Sequence, residues 1–183
     1  MKEALINIDY TNDFVADDGS LTCGQPGQAI EDKICDLTER FIQDQEFVVF
    51  AIDSHQKDDP YHPESRLFPS HNIQGSQGQE LYGRLADIYQ GAKDQTHVYY
   101  MEKTRYSAFA GTNLDMKLRE RHIQTLHLVG VCTDICILHT AVDAYNLGYQ
   151  LVIHPTAVAS FNQAGHDWAL THFETCLDAK IVD

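Results

Sequence analysis

LHLVGVCTDICILHTAVDAYNLGYQLVIH, residues 126–154, carries the pattern on which the fold is read. Leu126 to Val131 is a largely apolar run with the length of a strand buried on both faces. Ile135, Leu138 and Val142 then recur at helical spacing, and Gly148 suits the position just past a helix end. Tyr149 to His154 is a second strand-like run. Strand, helix and strand in so short a span read as one βαβ unit, so its two strands are predicted to lie parallel.

The alternation continues outward. Strands are predicted at Ala4 to Asp9, Phe47 to Asp53, His97 to Lys103 and Ala179 to Val182. Ile30, Ile34, Leu37 and Phe41 mark a helix between the first two, with Pro26 suited to its first turn. Leu81, Leu85 and Ile88 mark another. Leu114 and Leu118 mark a short one with Thr112 as N-cap and Asp115 in the capping-box position, and Ala169, Phe173 and Leu177 mark the last. Right-handed crossovers then make this an α/β protein, a three-layer α/β/α sandwich with a mostly parallel central sheet. The length of 183 residues suits a single domain spanning 1–183. Only His55 to Gln77 interrupts the pattern, and long irregular segments of that kind are usually functional or disordered.

Bulk composition excludes several classes of function. The net charge of -14 disfavours nucleic acid and anionic membrane as partners. No run approaches the roughly 20 apolar residues that a membrane span needs, and MKEALINIDY is not a signal sequence. Five cysteines form an odd set without an export signal, so reduced thiols are expected. A cytoplasmic homo-oligomer acting on a small molecule is the expectation.

Open parallel sheets bind ligands at the carboxyl ends of their strands. Asp9, Asp53 and Lys103 end three of the strands, and Cys136 begins the helix after the fourth. With Thr133 as N-cap, Cys136 is the third residue of that helix, where the helix terminus and a nearby cation such as Lys103 would lower a thiol pKa. Spacing alone leaves a structural cysteine equally open and Cys132 as a competitor. Asp53 and His55 point the same way in an extended chain and could grip one ion with His71, although a His-rich loop without metal fits that spacing as well.

Three segments narrow these alternatives. Gly130-Val131-Cys132-Thr133-Asp134-Ile135-Cys136 resembles the G-V-x-T-D-x-C signature of the cysteine hydrolases with an isochorismatase-like fold. Asp9 to Phe14 resembles their D-x-x-x-D-F, and Lys103 to Phe109 their K-x-x-Y-S-A-F. The resemblance implies a catalytic triad of Cys136, Asp9 and Lys103. It also implies an oxyanion hole from the backbone N–H groups of Cys132 and Cys136, with a cis peptide between Val131 and Cys132. Within that group, Asp53-Ser54-His55 followed by His71 resembles the metal site of nicotinamidases, which hydrolyse nicotinamide to nicotinate and ammonia; pyrazinamide would be a second substrate. A divalent ion is implied, zinc first, with iron or manganese as alternatives. Glu64 is expected as fourth ligand, balancing the ion's charge beside Asp53, with His62 as its rival. Phe14, Phe68 and Tyr106 are the expected walls for the ring. The sequence departs from the pattern at Thr11, Ser54, Phe68 and Asn72, where glutamine, tryptophan, tryptophan and cysteine are frequent. The alternatives are another isochorismatase-like hydrolase, a catalytically silent binding protein of the same fold, or a redox protein using Cys132 and Cys136.

Overall fold

Residues 2–182 are described by the computed structural model. Along the chain, β1 (Lys2–Ile8) is followed by the short helices α1 (Asn12–Val15) and α2 (Gln25–Ala29), then α3 (Glu31–Gln43) and β2 (Phe47–Asp53). After a long connection come α4 (Gly83–Ala92), β3 (Val98–Lys103), α5 (Leu114–Glu120) and β4 (Ile123–Val131). A π-type turn (Thr133–Ile137) leads into α6 (Leu138–Asn146), followed by β5 (Gln150–Ala159), α7 (Gln163–Leu177) and β6 (Lys180–Ile181).

The two-residue period of the strands splits the core into two faces. Ala4, Ile6, Ile8, Val49, Ala51, Leu126 and Leu128 pack with Leu114 and Leu118 of α5, Ala141 and Ala144 of α6, and Phe173 of α7. Leu5, Val48, Phe50, Ile52, Val129 and Val131 pack with Ile34, Leu37 and Phe41 of α3 and Leu85 of α4. Helices therefore cover both faces, and the result is the three-layer sandwich expected. Every pairing in the sheet is parallel.

The strand order is β3-β2-β1-β4-β5-β6. The chain runs outward from β1 to β3, then crosses back to β4 on the other side of β1. That reversal opens a crevice above the carboxyl ends of β1 and β4, where parallel sheets bind ligands. Gly130 permits the close approach of the two strands. Its φ is +118°, and a Cβ there would lie 2.0 Å from the Ile8 carbonyl oxygen.

Most element ends shift by one to three residues from those predicted, and three differences have a visible cause. β5 continues past His154 to Ala159, because pairing with β4 resumes after an irregularity: Leu128 faces Ile153, and Gly130 faces Val158. Pro155 has no N–H to donate and sits in that irregular stretch. α5 starts one residue after Asn113, although the Thr112 hydroxyl still accepts the Leu114 N–H. Thr133 is the first residue of the π-type turn instead of its cap, because its hydroxyl pairs with His166 Nδ1 at 2.8 Å. Among the described residues, no helix is long and apolar enough to cross a membrane.

Candidate active site

Asp9 follows β1 with φ +56°, a conformation that aspartate tolerates better than most residues. That turn aims its fully buried carboxylate across the crevice. Oδ1 accepts the Asp53 backbone N–H at 2.7 Å, and Oδ2 lies 2.7 Å from Lys103 Nζ. Lys103 closes β3 and pairs in register with Asp53 at the end of β2. Its ammonium is buried, 3.8 Å from Cys136 Sγ, 3.6 Å from Asp53 Oδ1, and donates to the Arg105 carbonyl at 3.2 Å. Cys136 arrives from the other side of the crevice, on the turn after β4. Its thiol is within hydrogen-bonding reach of Asp9. Cys132 faces away from this group, with its sulfur 3.4 Å from that of Cys23. The Val131–Cys132 peptide is cis.

The electrostatics correct one expectation. The Cys136 thiol is held well above its ordinary range, not below it. Burial is the main cause, and the carboxylates of Asp9 and Asp53 add to it; Lys103 pulls the other way without prevailing. Burial likewise raises Asp9 to about 6, against the pull of Lys103 and with the help of Asp53. At rest the pair is a neutral thiol beside a carboxylate with a proton affinity high for its type. A carboxylate tuned this way is suited to accept a proton and return it.

Asp53 joins this group to a second one. Asp53, His55, Glu64 and His71 are all buried, and each offers one donor atom within 4.8 Å of the others. His55 Nε2 lies 2.5 Å from Asp53 Oδ2, and His71 Nε2 lies 3.4 Å from Glu64 Oε2 and 3.6 Å from Asp53 Oδ2. His71 Nδ1 bonds the Pro69 carbonyl at 2.7 Å, which points Nε2 at the carboxylates, where it has no hydrogen-bond partner. The long connection folds back to reach this point: His55 and Ile73 form a parallel bridge, and the Pro63–Arg66 turn carries Glu64 inward. His62 packs its ring against that of His55, with centroids 4.2 Å apart, but is not one of the four donors. Its Nδ1 accepts the Glu64 N–H at 3.3 Å, and its Nε2 lies 2.8 Å from the Thr104 carbonyl, so both nitrogens are engaged within the protein. Two imidazoles, two carboxylates and a buried nitrogen without a partner are a donor set that fits a divalent cation.

The three aromatics are distributed unevenly. Phe14 and Phe68 both meet His71 edge-on, with ring centroids 5.3 and 6.1 Å away. Tyr106 packs on His139 at 5.2 Å. A cavity of about 310 Å³ bordered by His55, Glu64, Phe68 and His71 lies beside the second group.

Several residues around the site carried no role in the sequence reading. Asn72 is fully buried; its side chain accepts from the Thr11 hydroxyl at 2.9 Å and donates to the Asp53 carbonyl at 3.3 Å. Asp134 anchors the Cys136 turn by accepting from Ser160 Oγ at 2.6 Å and Asn162 Nδ2 at 3.2 Å. Thr140 accepts the Ala108 N–H at 3.0 Å and so ties the loop after Lys103 to α6. The one available signal was the position of Asp134 inside the quoted motif.

Comparison with known proteins agrees with this arrangement. The Isochorismatase domain family matches residues 3–181. The chain is 62% identical over 183 residues to an uncharacterized isochorismatase family protein, PncA, of Bacillus subtilis (strain 168), covering 100% of both. It superposes with a TM-score of 0.99 and 62% identity on the crystal structure of nicotinamidase/pyrazinamidase PncA from Bacillus subtilis, again covering 100% of both chains. A pyrazinamidase of Pyrococcus horikoshii in complex with zinc matches at a TM-score of 0.86 and 25% identity, over 100% of this chain and 99% of that one. With the sheet order, the crevice and the motif residues all in place over its length, the chain belongs to the isochorismatase family.

Proposed function

We propose that the protein is a nicotinamidase, converting nicotinamide and water to nicotinate and ammonia through a thioester on Cys136, with pyrazinamide as a second substrate. The observation that carries this reading is the contact between two buried groups: Asp9, Lys103 and Cys136 on one side, and Asp53, His55, Glu64 and His71 on the other, joined where Asp53 meets Lys103. The similar proteins known as nicotinamidases support the substrate class.

Asp9 takes the thiol proton as Cys136 Sγ attacks the carboxamide carbon. The backbone N–H groups of Cys132 and Cys136 receive the developing oxyanion, each contributing roughly 3 kcal/mol as such donors do in other acyl-transfer enzymes. Asp9 returns the proton to the departing ammonia, then draws one from water as the thioester is cleaved and passes it to the departing Cys136 sulfur, which restores the resting pair. Lys103 offsets the negative charge that passes between sulfur and carboxylate. Phe14, Phe68 and Tyr106 wall the aromatic ring. Asp53, His55, Glu64 and His71 would hold a divalent ion, zinc first and iron or manganese as alternatives. That ion supplies a Lewis-acid point for the pyridine nitrogen. A cytoplasmic homo-oligomer serving NAD salvage completes the reading.

The test is product release from nicotinamide and from pyrazinamide, with isochorismate consumption measured alongside. Ammonia from the two amides and no loss of isochorismate is expected. Loss of isochorismate with both amides left intact would favour a different hydrolase of this family and end the proposal.

A further inference from the structure

We propose that Asp13 is a positioning residue that sets the aim of His71; the inference rests on the reading of His71 as a metal ligand. Asp13 is the second acid of the D-x-x-x-D-F segment and lies outside both reacting groups. Its Oδ2 accepts the Asn72 N–H at 2.7 Å, and its Oδ1 accepts the Ser20 N–H at 3.2 Å. The N–H of Asn72 belongs to the peptide bond that joins it to His71. The carboxylate therefore fixes the plane of the chain as it leaves His71, through a short charge-assisted bond.

Three further features point to a built arrangement. Asn72 has φ +43°, in the left-handed region, so the chain turns sharply just after His71 and needs a partner to hold it there. Gly78 leaves room for the acid, since a Cβ at that position would fall 2.1 Å from Asp13 Oδ2. The next residue, Phe14, lays its ring edge against the His71 imidazole at 5.3 Å. One turn of helix thus holds His71 by its following peptide and by its ring. Asn12 of the same turn donates to the Gln77 carbonyl at 2.8 Å and fastens the far end of the connection. Groups that orient ligands in this way change metal affinity by about 10–100-fold when removed.

Zinc affinity is measured on the metal-free protein by competition with a chromophoric chelator, for the wild type and for Asp13→Ala, Asp13→Asn and His71→Ala. Alkylation of Cys136 by iodoacetamide is followed in parallel. Asp13→Ala is expected to weaken zinc binding by about 10–100-fold. Asp13→Asn, which keeps one acceptor oxygen, should recover part of it, and the Cys136 alkylation rate should stay at the wild-type value. A general loss of structure would move both readouts. Wild-type zinc affinity in Asp13→Ala, with affinity lost in His71→Ala, overturns the positioning role alone. Wild-type affinity in His71→Ala overturns the metal assignment and the inference with it. An altered Cys136 rate in both Asp13 variants also overturns it, because the effect would then not be confined to the His71 side.

Discussion

Lys103 Nζ lies 2.7 Å from Asp9 Oδ2 and 3.8 Å from Cys136 Sγ, and of the two carboxylates near the thiol, Asp9 is the one whose proton affinity is raised. Replacing Cys136 by alanine should abolish ammonia release from nicotinamide and leave the far-UV circular dichroism spectrum unchanged, since the change removes one buried sulfur and leaves the backbone of the turn as it is. Residual turnover near the wild-type rate would rule out a covalent route. Cys176 is exposed and remote, so Cys176→Ser should shift stability by no more than about 0.5 kcal/mol. Asp9→Asn and Lys103→Ala should each lower kcat by at least about 100-fold. In the proposed mechanism Asp9 moves the proton and Lys103 sets the charge that lets it move, so the two losses should overlap. The double variant should be scarcely worse than the poorer single one. Steady-state rates that multiply across the two substitutions would mean the residues act independently.

At the scale of elements, the crevice depends on how closely β4 lies along β1. Gly130 makes that approach possible, because any side chain there meets the Ile8 backbone and must also accept φ +118°. Gly130→Ala should cost about 3 kcal/mol or more in a chemical denaturation curve. It should also reduce activity beyond what the unfolded fraction explains, since Asp9 follows Ile8 directly and Cys136 follows Gly130 by six residues. A variant with wild-type midpoint and rate would show that the two strands tolerate separation. The turn after β4 makes a related point. Asp134, held by Ser160 and Asn162, pins the turn to the start of α7, so the position of Cys136 is supported by an element more than 25 residues downstream.

Across the whole molecule, part of the pH dependence of stability comes from two histidines outside the crevice. His127 on β4 and His154 on β5 share a 2.9 Å hydrogen bond, and His127 also meets Glu3 at 3.0 Å. Burial lowers the pKa of both; for His154, nearby His127, Lys33 and Arg40 add to the effect and bring it to about 4. The folded pKa lies below the unfolded value of 6.5, so the unfolded chain binds a proton first as pH falls. This contribution is complete above about pH 6.5 and is lost progressively toward pH 4. Asp9, raised by burial, acts in the opposite direction, so total stability does not isolate the effect. The difference between wild type and His154→Asn does. Thermal melts should show the wild type losing its advantage between pH 6.5 and 4, and a difference that stays constant with pH would remove His154 from this role.

The layers, and four polar residues gathered at one edge of the sheet, were legible from local pattern. Apolar runs spaced as strands, with helix faces between them, are properties of neighbouring residues, and they placed Asp9, Asp53, Lys103 and Cys136 at strand ends before any coordinates. The motif resemblance then grouped them by chemistry. Pattern could not show that Asp53 would touch both groups at once, because that follows from β2 lying between β1 and β3 with Asp53 in register with Lys103. Nor could it separate Glu64 from His62, two residues apart on one loop. Their roles diverge because the Pro63–Arg66 turn swings one side chain toward His71 and engages the other with Thr104. The thiol pKa was misjudged for the same kind of reason. A helix start and a lysine are visible in sequence and both lower it, whereas complete burial beside two carboxylates exists only once strands distant in the chain have packed together, and there the cost of desolvating a charge outweighs one neighbouring cation.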